Sequence, residues 1–238
     1  MINIDKVTKS FGNLKAVDNL SLNIKDGEIF GFLGPNGAGK STTLKMITGI
    51  VPPDSGTIEI DGHSIKGDTL RAKQQFGFVP DSPDVFLRLK GREYLNFIAS
   101  VYKIPAQLAA QRVEKLVKEF EMGAALGEMI ANYSHGMRQK IIIIGVLMIN
   151  PKNWILDEPM TGLDPSSSYL LKTKMREHAE NGNAVLFSTH VLEVAEKLCD
   201  RVGIINHGQL IFVGTLEELK ASKGENESLE SLFLELTK

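Results

Sequence analysis

The sequence has little cysteine, little net charge and no long apolar run, and each shortage excludes something. Cys199 is the only cysteine among 238 residues. No internal disulfide can form, and such sparing thiol usage points to a reducing compartment. Twenty-seven basic residues stand against 29 acidic ones, a formal charge of −2. No overall basic field draws the chain to nucleic acid, and no nucleic-acid partner is expected. The longest apolar run, Ile141 to Ile149, is less than half of the roughly 20 residues that cross a bilayer, so it reads as a buried helix or strand. The opening residues, MINIDKVTKSFG, are too polar for a secretory signal. No repeat or low-complexity block occurs. What is present is an ordinary globular composition, 42% hydrophobic and 24% charged, on a length that suits one large domain or two small ones.

Short continuous apolar runs at Ile29–Leu33, Phe76–Val79, Trp154–Leu156, Ala184–Phe187 and Val202–Ile205 predict strands buried on both faces. Between them, helical spacing groups Tyr94, Ile98, Val101 and Tyr102, then Ala109, Val113, Leu116, Val117 and Phe120, then Val191, Val194, Ala195 and Leu198. Alternation of the two patterns predicts an α/β fold with a parallel core. Ile2–Val7, Leu20–Ile24 and Thr57–Ile60 add N-terminal strands, with Asp61-Gly62 placed to close a hairpin. Leu87 to Ile149 shows helices and no convincing strand, which predicts a helical insertion. Thr215-Leu216-Glu217-Glu218 fits a capping box. Residues 222–228 read as a polar loop, and Leu229, Leu232, Phe233 and Leu236 as the stripe of an amphipathic helix. The expected division is therefore a domain over 1–220 and a tail over 221–238.

The segment Gly34-Pro35-Asn36-Gly37-Ala38-Gly39-Lys40-Ser41-Thr42 matches G-x-x-x-x-G-K-[ST] between an apolar strand and a helix expected from Lys40 to Ile47. Glycines let successive N–H groups curl inward onto phosphate oxygens, and the helix terminus adds partial positive charge. In that setting all nine residues form a nucleotide-binding loop, Lys40 reaches the β- and γ-phosphates, and the Ser41 hydroxyl serves Mg²⁺. Further along, Trp154-Ile155-Leu156 delivers Asp157 and Glu158 at a strand's C-terminal end, where open α/β sheets bind ligands. Alone, this is also an ordinary strand-to-turn transition. Coupled to the phosphate loop, Asp157 becomes an Mg²⁺ residue and Glu158 a base or orienting acceptor for water. There is no N-K-x-D guanine motif, no zinc-ligand spacing among the five histidines and no second phosphate loop.

With these motifs in place, the sequence from roughly Ile2 to Thr215 resembles the ATP-binding cassette (ABC) family, the motor subunits of ABC transporters. The most specific mark is Tyr133-Ser134-His135-Gly136-Met137-Arg138-Gln139-Lys140, similar to the family signature usually written LSGGQ, shortly before the acidic strand. On its own, Ser134 is also an ordinary N-cap for a helix starting near Gly136. The resemblance implies a P-loop NTPase fold with a RecA-like parallel core, an N-terminal antiparallel β subdomain and the helical insertion. It further implies an ATPase in which Ser134 and Gly136 of one chain meet the γ-phosphate held by another. Gly162-Leu163-Asp164 is similar to the D-loop at that dimer interface, and Asp164 before Pro165 is equally a helix cap. His190 is similar to the switch histidine that contacts γ-phosphate and Glu158, although a lone histidine is often structural. Phe11 is similar to the aromatic that stacks on adenine, the alternative being a packed core residue.

Two departures stand out. Asp81 occupies the place of the usual Gln, where a carboxylate can still serve Mg²⁺ but, ionised, cannot donate a hydrogen bond. His135-Gly136-Met137 stands where Gly-Gly-Gln is commoner, a form similar to the ABC-2 and multidrug-exporter branch, and the ending Leu-Glu-Leu-Thr-Lys is similar to an Ecs-like ATPase. The resemblance implies a separate integral membrane permease, received beside the helical insertion. It implies a second copy or a paralogous ATPase as partner, and a cytoplasmic position on the inner face of the membrane. The rivals are a cassette working without a permease, on ribosomes or DNA, and an unrelated P-loop kinase or binding module.

Overall fold

The computed structural model describes residues 1–221 and 229–236. Period-two alternation builds the first sheet. β1 (Ile2–Phe11) turns through Gly12-Asn13 into β2 (Leu14–Ile24), and both continue further than the apolar residues alone suggested. After β3 (Ile29–Leu33) and α1 (Lys40–Ile47), the chain returns as β4 (Ser55–Ile60) and the short β5 (His63–Ser64). The four strands pair antiparallel in the order β2-β1-β4-β5, with Asp61-Gly62 closing the last hairpin.

The second sheet carries the chemistry. α2 (Thr69–Gln74) leads into β6 (Phe76–Val79). Three helices follow: α3 (Gly91–Val101), α4 (Ala106–Glu119) and α5 (His135–Ile149). β7 (Asn153–Asp157), α6 (Pro165–Glu180), β8 (Ala184–Thr189), α7 (Leu192–Leu198), β9 (Arg201–Asn206) and β10 (Gln209–Gly214) complete the domain. The sheet order is β10-β9-β3-β8-β7-β6, parallel except at the β9–β10 hairpin. Every residue of β3, β7 and β8 is buried, as the apolar runs require of strands covered on both faces.

Alternate residues of β3 serve opposite layers. Phe30 and Phe32 pack with α1 and the antiparallel sheet, while Ile29 joins the core shared with the helical insertion. That core runs without a break from Tyr94, Leu95 and the apolar length of α5 to Trp154, Met175 and Phe187. The insertion therefore has no private core. The nine-residue apolar run is the buried body of α5, ended by Asn150 in a left-handed conformation (φ 49) ahead of Pro151.

Two expected helix positions need correcting. Val101 faces outward, 53% exposed, because α3 buries Tyr94, Leu95 and Ala99 instead. Val191 is 41% exposed and precedes α7. α5 begins at His135, in keeping with a start near Gly136 capped by Ser134. The capping box is present: Thr215 N–H donates to Glu218 Oε2 (2.8 Å) and Glu218 N–H to Thr215 Oγ1 (3.1 Å), opening α8 (Leu216–Ala221). In α9 (Leu229–Leu236), Phe233 and Leu236 join the cluster of Leu33, Val202 and Ile204, so this tail helix seats on its own domain. The loop expected over 222–228 and the side chain of Leu229 lie outside the described residues. Among the described residues, no helix is long and apolar enough to cross a membrane.

Candidate active site

Residues 34–39 span the end of β3 and the start of α1. Gly39 caps that helix at φ 110, and a Cβ there would lie 2.5 Å from the Ala16 carbonyl oxygen. Only glycine fits so close an approach. Lys40 is 6% exposed, and its ammonium donates to the carbonyls of Gly34 (2.7 Å) and Pro35 (3.1 Å). Burial lowers the Lys40 pKa, and the carboxylates of Glu158, Asp157 and Asp81 oppose the shift. A cavity of about 490 Å³ lies over the loop. Pro35, Asn36, Gly37, Gly39, Lys40, Ser41 and Thr42 line one side, Phe11, Leu14, Lys15 and Ala16 another, with Asp81, Glu158, His207 and Gly208 at its edges. Gly34 and Ala38 are not on the cavity wall: a Cβ on Gly34 would strike the Ile205 carbonyl, and Ala38 is buried.

β7 places Asp157 beside Ser188 of β8. Both are fully buried. The Ser188 hydroxyl donates to Asp157 Oδ1 (2.6 Å) and accepts from the Glu158 amide (3.0 Å). Asp157 Oδ2 is buried without a hydrogen-bond partner. Burial is the largest influence on Asp157 and raises its pKa; the hydroxyls of Ser188 and Ser41 pull the other way, and the Asp81 and Glu158 carboxylates add to the rise. A buried orphan carboxylate oxygen near the Ser41 hydroxyl fits a hard cation. Among the described residues no cluster of three His, Cys, Asp or Glu forms a ready cage. Mg²⁺ suits so sparse a set, because it keeps waters and takes phosphate oxygens.

Glu158 sits in a left-handed backbone conformation (φ 48), turned out of the strand. Its Oε1 lies 3.0 Å from His190 Nδ1 and 3.8 Å from the Lys40 ammonium. β8 runs to Thr189, two residues past the apolar run, which sets His190 immediately at the strand's end. The loop, Asp157, Glu158, His190, Ser41 and Asp81 therefore converge. Phe11 is 51% exposed and lines the cavity, so the packed-core alternative is removed.

Ser134, Gly136 and Asp164 form a separate group away from the cavity wall. Ser134 caps α5, accepting from Met137 N–H (3.3 Å). A Cβ on Gly136 would lie 2.5 Å from the Gly162 carbonyl oxygen, so the two loops touch backbone to backbone. Asp164 caps α6, accepting from Ser167 N–H (2.9 Å), and pairs with Lys140 at 2.6 Å. That ammonium, with the Ser166 hydroxyl and the Ser167 amide, holds the Asp164 carboxyl far below the usual range. Gln139 adds a buried bond to the Pro159 carbonyl (3.3 Å). The first turn of α5 is thus laced to the segment that follows β7.

Sequence reading missed Ser188, Lys140 and His207. Ser188 is polar and lies just past the apolar run Ala184–Phe187, and only the register of the parallel sheet sets it level with Asp157.

The sequence pattern of the family described as ABC transporter matches residues 17–161. The ABC-type transporter ATP-binding protein EcsA of Bacillus subtilis (strain 168) is 35% identical over 100% of this chain and 97% of that protein. The daunorubicin/doxorubicin resistance ATP-binding protein DrrA of Streptomyces peucetius is 35% identical over 92% of this chain and 67% of its own length. Among solved structures, an ATP-binding subunit of an ABC transporter superposes with TM-score 0.95 at 31% identity, covering 100% of both chains. The ATP-binding cassette MJ0796, solved as a dimer in a post-hydrolysis state with ADP and Pi, gives 0.82 at 25% identity, covering 91% of this chain and 99% of its own.

Proposed function

The chain belongs to the ABC transporter family, and from that premise we propose that this ATP-binding subunit closes as a dimer around MgATP and drives a separate membrane permease, in an exporter. ATP hydrolysis is the activity of the cassette. Phosphoryl transfer to water needs positioning and charge neutralisation more than covalent chemistry. Lys40 and the loop amides from Gly34 to Thr42 hold the β- and γ-phosphates, and Phe11 offers its exposed ring to the base. Ser41 and Asp157, with Asp81 nearby, would hold Mg²⁺, which supplies further neutralising charge when bound. Glu158 orients the attacking water, and His190 fixes the Glu158 carboxylate. Ser134 and Gly136, at the N-terminus of α5, complete the partner's site, with Asp164 beside them at the interface.

The observation that carries this reading is the Glu158 carboxylate, held 3.0 Å from His190 at the loop's mouth. Glu158→Gln is expected to keep MgATP binding, to slow turnover by about 10²–10⁴-fold and to accumulate a nucleotide-bound dimer. Turnover at the parental rate would remove the assignment. The permease is favoured over a soluble target by an apolar patch beside α3. Phe86 (43% exposed) and Phe97 (47%) form a tilted ring pair with centroids 5.7 Å apart, and Val101 follows one turn later. A short helix from a membrane subunit would cover it. The likeness to a drug-resistance ATP-binding protein supports an exporter, and the likeness to transporter ATP-binding proteins supports a permease-bound position. Co-purification with an integral membrane subunit, lost in Phe97→Asp, tests the partner.

A further inference from the structure

The β9–β10 hairpin turns through His207-Gly208, with Asn206 opposite Gln209. Both turn residues have positive φ, 45 and 78, as a type I′ turn requires. Asn, Asp or Gly is the usual occupant of the first position, and histidine is among the few other side chains enriched at positive φ. The turn is fastened on two sides. Gly208 N–H donates to the Ala38 carbonyl of the phosphate loop (2.9 Å), and Asp18 N–H of β2 donates to the Gly208 carbonyl (2.8 Å). His207 is exposed and lines the same cavity as the phosphate loop and Phe11.

Within the lining, Lys40 lies 3.8 Å from Glu158 and is acted on by Asp81, which groups the phosphate-facing residues, and Phe11 pairs with Leu14 across the β1–β2 hairpin beside Lys15 and Ala16, which groups the others. The turn packs on Ala16 and bonds to Ala38, which sets it between the Phe11 group and the phosphate loop. A nucleotide with its base on Phe11 and its terminal phosphates on Lys40 must lay its ribose across this span. Lys15 is committed to Asp18 at 3.1 Å, and the remaining lining there is apolar or backbone. His207 is the lining side chain there with no hydrogen bond or ion pair among the described residues.

We propose that His207 is a specificity-determining residue that hydrogen-bonds a ribose hydroxyl of the bound nucleotide. The assignment rests on the nucleotide reading of the cavity. The test is calorimetric titration of the whole chain with MgADP, 2′-deoxyADP, 3′-deoxyADP and pyrophosphate. One neutral hydrogen bond gives about 2–12-fold in affinity, so the parent should prefer ADP by that factor over at least one deoxy analogue. His207→Gly, which suits a positive φ, should lose that factor for ADP alone and bind the deoxy analogue and pyrophosphate as before. His207→Asn, equally at home in the turn but too short to reach, should behave the same way. Equal weakening for every ligand, or unchanged discrimination in both variants, overturns the inference. A parent chain that binds none of the nucleotides overturns the nucleotide reading itself.

Discussion

Ser188→Ala is the most demanding test of how the acidic strand is held. The hydroxyl makes two buried bonds, one to a carboxylate oxygen of Asp157 at 2.6 Å and one from the Glu158 amide at 3.0 Å. A bond to a charged group contributes about 1.5–3 kcal/mol and a neutral one about 0.5–1.5 kcal/mol. Since Asp157 Oδ2 is buried without a hydrogen-bond partner, the variant leaves only the nearby Ser41 hydroxyl to offset the burial of the carboxylate. The expected loss is about 2–4 kcal/mol, or roughly 5–15 °C in Tm for a chain of this size. The pH dependence gives a second handle. Burial already raises the Asp157 pKa, so its ionised form costs stability above the ordinary carboxylate range, and the cost fades as pH falls through the folded-state value. Removing Ser188 raises that value further. Urea unfolding of parent and variant, run from pH 8 down towards the ordinary carboxylate value of 3.8, should show the largest gap at pH 8 and a narrowing gap towards acid. A gap below about 1 kcal/mol, or one that does not change with pH, would refute the account.

Two further outcomes follow from the packing. His178 is buried with its ring stacked on Trp154 at 3.9 Å, and burial pulls its pKa down to about 4 from 6.5. A depressed histidine leaves stability intact above pH 6.5 and erodes it as pH falls towards 4, by about 2–3 kcal/mol at about 1.4 kcal/mol per pH unit. Trp154 is the only tryptophan, so its fluorescence reports the unfolding directly, and His178→Phe should remove much of the acid sensitivity; an unchanged acid midpoint would contradict it. Gly136→Ala forces a Cβ to within 2.5 Å of the Gly162 carbonyl. The loops must part, so ATPase turnover should fall at least tenfold, about 1.4 kcal/mol in barrier, while nucleotide affinity of the isolated chain, measured by titration, stays the same.

The sheet was legible in the sequence because strands covered on both faces leave continuous apolar runs. The phosphate loop was legible because its glycines and Lys40 are local in sequence. The antiparallel strands extend beyond the apolar pattern, since the half-buried Thr8, Lys9 and Ser10 carry no apolar signal. Val101 was misassigned because spacing alone does not say which of two adjacent stripes on α3 meets α5. Ser188, Lys140 and His207 act through partners 31, 24 and more residues distant or through a turn's placement, and no local pattern announces a contact that only the sheet register creates.

The lacing between α5 and the segment after β7 has a mechanical consequence. Gln139 grips Pro159, Lys140 grips Asp164, and Gly136 rests on Gly162. Any shift of α5 is therefore felt directly in the segment adjoining Glu158, because three contacts rather than a free loop join the two.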